Sequence, residues 1–136
     1  MNTVASPLAI AQTLTELWSP RVIAELDDCY VKVAKVKGTL GWHTHEGEDE
    51  LFFILSGEFR IEMHESTVDL RTGDLFVVPK GVSHNPIAHA ECCLMLIEKK
   101  TTAHTGTTQQ PPIQHLATSI HHPLMPPIEF TPNRHP

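Results

Sequence analysis

The chain has 136 residues, a formal net charge of −6 and a hydrophobic content of 40%, enough for one domain with a core of its own and too little for two. The negative balance argues against a general nucleic-acid or anionic-surface partner and leaves room only for a local cationic site. No apolar run is long enough to cross a bilayer, and the N-terminus lacks the basic n-region and apolar h-region of a secretory signal.

Ser6-Pro7 followed by LAIAQTLTEL predicts a short helix. Ser6 is a capping type, Pro7 suits the first helical position, and the segment ends before Ser19-Pro20. Residues 1–20 are thus expected to form an N-terminal arm that braces the domain or lids it.

From Arg21 to about Glu98 the texture changes. Short runs of Val, Ile, Phe and Leu alternate with polar or Gly/Pro breaks, as in an all-β sandwich or barrel. The breaks fall at Asp27-Asp28, Gly38, Gly47, Ser56-Gly57, Glu65-Ser66, Thr72-Gly73-Asp74 and Pro79-Lys80-Gly81. Between them lie YVKVAKV, LGWHTH, ELFFIL, EFRIEM, VDL, LFVVP and CCLMLIE, each read as a strand. The barrel is expected over residues 21–100. Beyond it, residues 101–136 are rich in Thr and Pro and read as an extended tail or an arm laid over the barrel or a neighbouring subunit. His121-His122 in that tail reads as solvent-exposed rather than metal-binding.

The cysteines are Cys29, Cys92 and Cys93. An odd count without framework spacing suits reduced thiols and a cytoplasmic location better than disulfides. Cys92 and Cys93 are adjacent on a strand, so they point to opposite faces and cannot share one metal; both read as small buried fillers.

The chemistry concentrates in GWHTHEGEDELFFILSG, Gly41 to Gly57. His43 and His45 are two apart and share one face of a strand. A turn at Glu46-Gly47-Glu48 would reverse the chain and bring Glu50 to the same side, followed by Phe52 and Ile54. An isolated carboxylate in an apolar interior is costly unless it is paired or holds a cation. By itself an HxH also fits a surface hairpin with a solvated glutamate. The second stretch, GDLFVVPKGVSH, runs from Gly73 to His84. It is a tight turn, a buried strand, a Pro stop, a Gly turn and then a third histidine. Three histidines and one glutamate suit Fe(II), Mn(II), Ni(II), Co(II) or Zn(II) and leave open positions at five- or six-coordination. Asp49 is expected to face away by alternation, and Glu48 lies in the turn as a weaker candidate. His64 is expected at an exposed hairpin tip, and His89 on the surface or behind the site.

These two stretches resemble the paired motifs of the cupin superfamily. His43, His45, Glu50 and Gly57 fall on the spacing of the first motif, and Gly73, Pro79, Gly81 and His84 on that of the second. The glycine expected ahead of the HxH sits one residue late, at Gly38. Ala88 stands where the second motif has Asn, with Asn85 nearby. The resemblance covers roughly Val31 to Glu98. It implies a double-stranded β-helix, or jelly-roll, barrel with a metal near its centre held by His43, His45, Glu50 and His84.

Alternation places Phe52, Ile54, Phe59, Ile61 and Met63 inside, with Phe76 and Val78 on another inner wall, and Arg60 and Glu62 outside. Leu51, Phe53 and Leu55 then face outward and need cover from the helix or from a second subunit, so a homodimer is expected. Tyr30, Trp42, Glu48 and Lys80 are candidate polar groups near the mouth. The expected ligand is a small molecule that meets the metal through oxygen. Three readings follow: Lewis-acid isomerase or lyase chemistry, an Fe- or Mn-dependent dioxygenase, or a ligand-binding module without catalysis. Fold alone does not choose among them.

Overall fold

The structure, a computed structural model, describes residues 3–102 and 107–108. One helix, α1 (Pro7–Thr13), precedes the strands β1 (Arg21–Leu26), β2 (Cys29–Thr39), β3 (His43–Thr44), β4 (Glu50–Ser56), β5 (Glu58–Met63), β6 (Thr67–Arg71), β7 (Leu75–Val78), β8 (His84–Lys99) and β9 (Thr107–Thr108). Apart from Thr101, Thr102 and that last short strand, the Thr/Pro-rich tail with His121 and His122 lies outside the described residues.

The pairings among these strands are antiparallel, and the 16-residue β8 organises them. Its C-terminal part joins β2 on one side and β4 on the other, giving a layer β1–β2–β8–β4–β7. Its N-terminal part pairs β5, which carries β6, and meets β3 at His43↔His84. The two layers face each other as the expected double-stranded β-helix, with the hydrogen-bonded path left open rather than closed into a ring.

Period-two alternation sorts the core. Phe52, Ile54, Phe59, Ile61, Val78, Leu94 and Leu96 fill the interior, while Ala11, Leu14, Val33 and Cys93 form a satellite cluster on the outer face under α1. Cys92 belongs to the first cluster and Cys93 to the second, as adjacent strand positions require. Helix α1 thereby covers Leu55 and Met95, while Leu75 and Val77 beyond them remain exposed.

Five local expectations are corrected. The helix stops at Thr13, because Leu14 turns to extended backbone (ψ 138°) and the chain drops to the end of the barrel. There Leu17 bridges Lys35, and Trp18 enters the core with its Nε1 donating to the Lys37 carbonyl at 2.8 Å. A continued helix would have left Trp18 outside. Ser6 makes no side-chain cap bond. Residues 21–26 form a strand that composition did not single out, and LGWHTH contracts to His43–Thr44 because Gly41 takes φ +108°. Arg60 does lie off the inner face but is buried, with Nε 2.7 Å from Asp69 Oδ1 across the β5–β6 pair.

Gly57 shows the tightness of the β4–β5 turn. It sits at φ +99°, and a Cβ there would lie 3.1 Å from the Glu91 carbonyl oxygen and 3.2 Å from Cys92 Cα. Both the dihedral and the contact oppose a side chain. Gly57→Ala should therefore cost about 2–4 kcal/mol, whereas Gly47→Ala, which meets nothing within 4 Å, should cost under about 1 kcal/mol. Urea titrations of the two variants would check this, and equal midpoints would contradict it.

Candidate metal centre

Four side chains from three regions converge inside the barrel. His43 comes from β3, Glu50 from the start of β4 and His84 from the start of β8, with His45 just past β3. The β3–β8 pairing sets His43 directly opposite His84, with ring centroids 4.4 Å apart. The turn before His84 is tied to the loop after β3: Gly81 N donates to the His45 carbonyl at 2.8 Å, and Lys80 N to Asp49 Oδ1 at 2.8 Å. Asp49 is thus exposed, as expected, and has a task of its own, splicing the second motif to the first. Asn85 performs a similar service for His43. Its Oδ1 accepts from Thr39 Oγ1 at 2.7 Å and from Gly41 N at 3.0 Å, and its Nδ2 donates to Glu62 Oε1 at 3.0 Å.

Ring orientation follows from backbone carbonyls. Nδ1 of His43 lies 3.0 Å from the Gly41 oxygen, and Nδ1 of His84 lies 3.0 Å from the Val82 oxygen. A carbonyl only accepts, so each Nδ1 carries the proton and each neutral ring keeps its lone pair on Nε2. Nε2 of His45 and of His84 lie 3.3 and 3.4 Å from Glu50 Oε1. All three of these atoms are buried without a hydrogen-bond partner among the described residues.

The four potential donor atoms lie within 4.8 Å of one another. Donors held at about 2.0–2.2 Å from one ion would sit roughly 3–3.5 Å apart at adjacent corners and about 4.3 Å apart when opposed. The orphaned lone pairs and the mixed imidazole–carboxylate chemistry suit a divalent transition ion, and the group, a few tenths of an ångström wider than that spacing, could hold one.

Electrostatics follow burial. Desolvation first, and then the neighbouring His84, push the His43 imidazole down to about 4. Burial alone would also lower His45, but Glu50 outweighs it and raises the imidazole above its ordinary value. Burial would raise Glu50, yet the His45 and His84 imidazoles facing its Oε1 hold its carboxyl well below the usual range.

Other candidates fall elsewhere. Glu48 is half-buried and accepts from Thr101 Oγ1 at 3.2 Å, away from the four-residue group. His64 is exposed and stacks flat on Trp42 at 4.7 Å, and His89 is exposed on β8. Tyr30 lies at the rim between the ammonium groups of Lys32 and Lys100, and Lys80 is exposed. A cavity of about 30 Å³ adjoins the group, with Trp18, Leu40, Phe52 and Leu96 among its walls and His43 and Glu50 as its polar lining. That is room for a water molecule or two.

Sequence reasoning missed Lys32 and Glu98. Glu98 is 4% exposed, bonded to Lys32 (Nζ–Oε2 2.8 Å), and set beside Glu50 by the β4–β8 register. Burial, and then Glu50, push its carboxyl up to about 7. The signal was available: in CCLMLIE the even positions Leu94 and Leu96 face inward, and the same parity carries Glu98 inward.

Comparison with known proteins agrees with the geometry. The cupin domain family matches residues 30–98. The YdbB protein of Bacillus subtilis is 30% identical over 112 residues, covering 82% of this chain and 99% of its own. A cupin-2 domain containing protein of Shewanella frigidimarina is 38% identical, with a TM-score of 0.69 over 71% of this chain and 95% of its own. Protein NMB1881 of Neisseria meningitidis is 29% identical, with a TM-score of 0.66 over 72% and 100% respectively.

The depressed His43 value makes a pH prediction for metal-free protein. The unfolded imidazole titrates near 6.5 and the folded one near 4, so the unfolded state binds the extra proton. This contribution to stability is present above about 6.5 and is lost as pH falls through 4. Relative to His43→Gln, the wild type should lose on the order of 3 kcal/mol across that window. Thermal melts in chelator at several pH values would show it, and parallel curves would refute it.

Proposed function

The chain belongs to the cupin family, and we propose that it is a metal-dependent member acting on a small molecule with oxygen donors, by Lewis-acid chemistry of the isomerase or lyase kind. The observation that carries this reading is the buried set of unpartnered Nε2 and Oε1 atoms from His45, His84 and Glu50, completed by His43. Such atoms are costly to bury unpaired, and a shared cation satisfies them together. A divalent Fe, Mn, Ni, Co or Zn ion held there would supply an electrophile for a carbonyl or carboxylate oxygen. The chain itself contributes the rest. Gly41 and Val82 carbonyls keep the Nδ1 protons away from the site, and the apolar walls of Trp18, Leu40, Phe52 and Leu96 narrow the space beside it.

The apolar character and small volume of those walls favour a second reading, an Fe- or Mn-dependent dioxygenase, because such a space suits a diatomic gas. Elemental analysis of protein purified without a histidine tag separates the two. Zinc or nickel alone supports the first, and iron with oxygen uptake supports the second. Protein that carries no metal and takes none up sinks both. The free thiols of Cys29, Cys92 and Cys93 support a reducing compartment, and we place the protein in the cytoplasm on that basis. Among the described residues no helix is long and apolar enough to cross a membrane.

A homodimer is part of the same proposal. The β4–β7 pairing sets Leu51 beside Val77 and Phe53 beside Leu75 on the outer face. Leu75 is 56% and Val77 39% exposed, which leaves an apolar strip that a second copy would cover.

Two outcomes test these proposals. His45→Ala or His84→Ala should lower metal content at least about tenfold, and Glu50→Gln should weaken binding while the fold persists; His64→Ala should leave metal content unchanged. Retention of metal by His84→Ala would overturn the assignment. Phe53→Glu should convert a dimer to monomers in sedimentation, because it buries an unpaired charge in an apolar contact. A wild type that is already monomeric at micromolar concentration would remove the dimer.

A further inference from the structure

The inner face of the barrel carries a second carboxyl that the four-residue group does not use. Glu98 pairs across β2 with Tyr30, and the Leu51↔Ile97 register places it beside Glu50 on β4. Both residues are buried, and as cross-strand neighbours on one face their side chains stand side by side. Lys32 stands diagonally across from Glu98, on the same inner face, and grips its Oε2 at 2.8 Å. The Lys32 side chain is 15% exposed and that of Glu98 3%. Oε1 of Glu98 is buried with no hydrogen-bond donor among the described residues.

A purely structural ion pair is a poor account of this arrangement. Desolvating a lysine and a glutamate inside a barrel is seldom repaid, and apolar residues of similar size fill such space as well. The neighbouring positions, Phe52 and Leu96, already do so. Setting a carboxyl against Glu50 is more costly still, unless the contact has a use. Glu50 supplies one. Both of its imidazole neighbours approach Oε1, which does not by itself set the plane of the carboxylate. A ligating carboxylate needs an outer partner to hold its plane toward the ion, and Glu98 is the side chain in place to do so. Lys32 in turn fixes Glu98 and keeps the charge of the array in check.

We propose that Glu98, clamped by Lys32, is a positioning residue that orients Glu50 for metal binding. The proposal rests on the reading of the four-residue group as a metal centre. It predicts a division of labour: Glu50 meets the ion, Glu98 holds Glu50, and Lys32 holds Glu98. A glutamine at position 98 keeps the length of the side chain and can bridge both neighbours, its amide nitrogen donating to Glu50 and its oxygen accepting from Lys32. A leucine bridges neither.

The test is a titration of the metal-free full chain with Co(II) against a chelating dye, together with the visible absorption spectrum of the bound cobalt. Glu98→Leu should bind about 10- to 100-fold more weakly than wild type with an altered spectrum, and Glu98→Gln should restore affinity to within about threefold. The double variant Lys32→Met/Glu98→Leu removes both charges together, so it guards against a misfolded single variant. It should melt near wild type without metal and still bind Co(II) weakly. Wild-type affinity and spectrum in that double variant would make the pair merely structural and overturn the proposal. Loss in Glu98→Gln equal to that in Glu98→Leu would also overturn it, because the preserved contacts would then not be what matters. Failure of the wild type itself to bind Co(II) would instead remove the metal centre on which the proposal rests.

Discussion

Glu50 is the constraint around which the rest is arranged. Its carboxylate is 5% exposed in an interior otherwise built of Phe52, Ile54, Phe59 and Leu96. An unpaired charge in such surroundings costs several kcal/mol, and the fold answers with close partners rather than with solvent. Two imidazole nitrogens lie within 3.4 Å of one oxygen, and a third imidazole completes the group. None of those nitrogens makes a conventional hydrogen bond to it, which is the geometry of groups converging on a common point rather than on one another.

Holding four such side chains in register requires that distant segments be locked together, and the backbone does this. The long β8 runs through both layers, so the strand that delivers His84 also pairs with the strands that deliver Glu50 and His43. The Gly81–His45 and Lys80–Asp49 bonds close the remaining freedom between the two motifs. Asn85 holds the loop whose carbonyl orients His43. Residues outside the four-residue group thus determine whether its donor atoms can converge.

The N-terminal arm is the other half of the enclosure. Trp18 takes φ +57°, a left-handed conformation that disfavours bulky residues. It is held there by its Nε1 bond to Lys37 and by its contact with Phe59 at 6.5 Å between ring centroids. The return is a wall for the cavity beside His43 and Glu50. The same segment explains why α1 is short: the chain must leave the outer surface to reach the end of the barrel.

What could be read from the chain alone was whatever depends on local periodicity. Alternation in ELFFIL and EFRIEM sorted inner from outer residues, the HxH spacing put His43 and His45 on one face, and the turn residues marked where strands end. The same reasoning discarded Asp49 and placed Cys92 and Cys93 on opposite sides. What it could not reach depends on which strands become neighbours. That β8 lies between β2 and β4 is a matter of long-range pairing, and only this pairing makes Glu98 a neighbour of Glu50 on one side and of Lys32 on the other. Likewise only the β5–β6 register buries Arg60 against Asp69. Side-chain period is a property of one strand and is written into its sequence. The pairing of positions 48 residues apart, which sets Glu98 beside Glu50, is decided by the balance of burial and hydrogen bonding over the whole sheet, and no short stretch of sequence contains it.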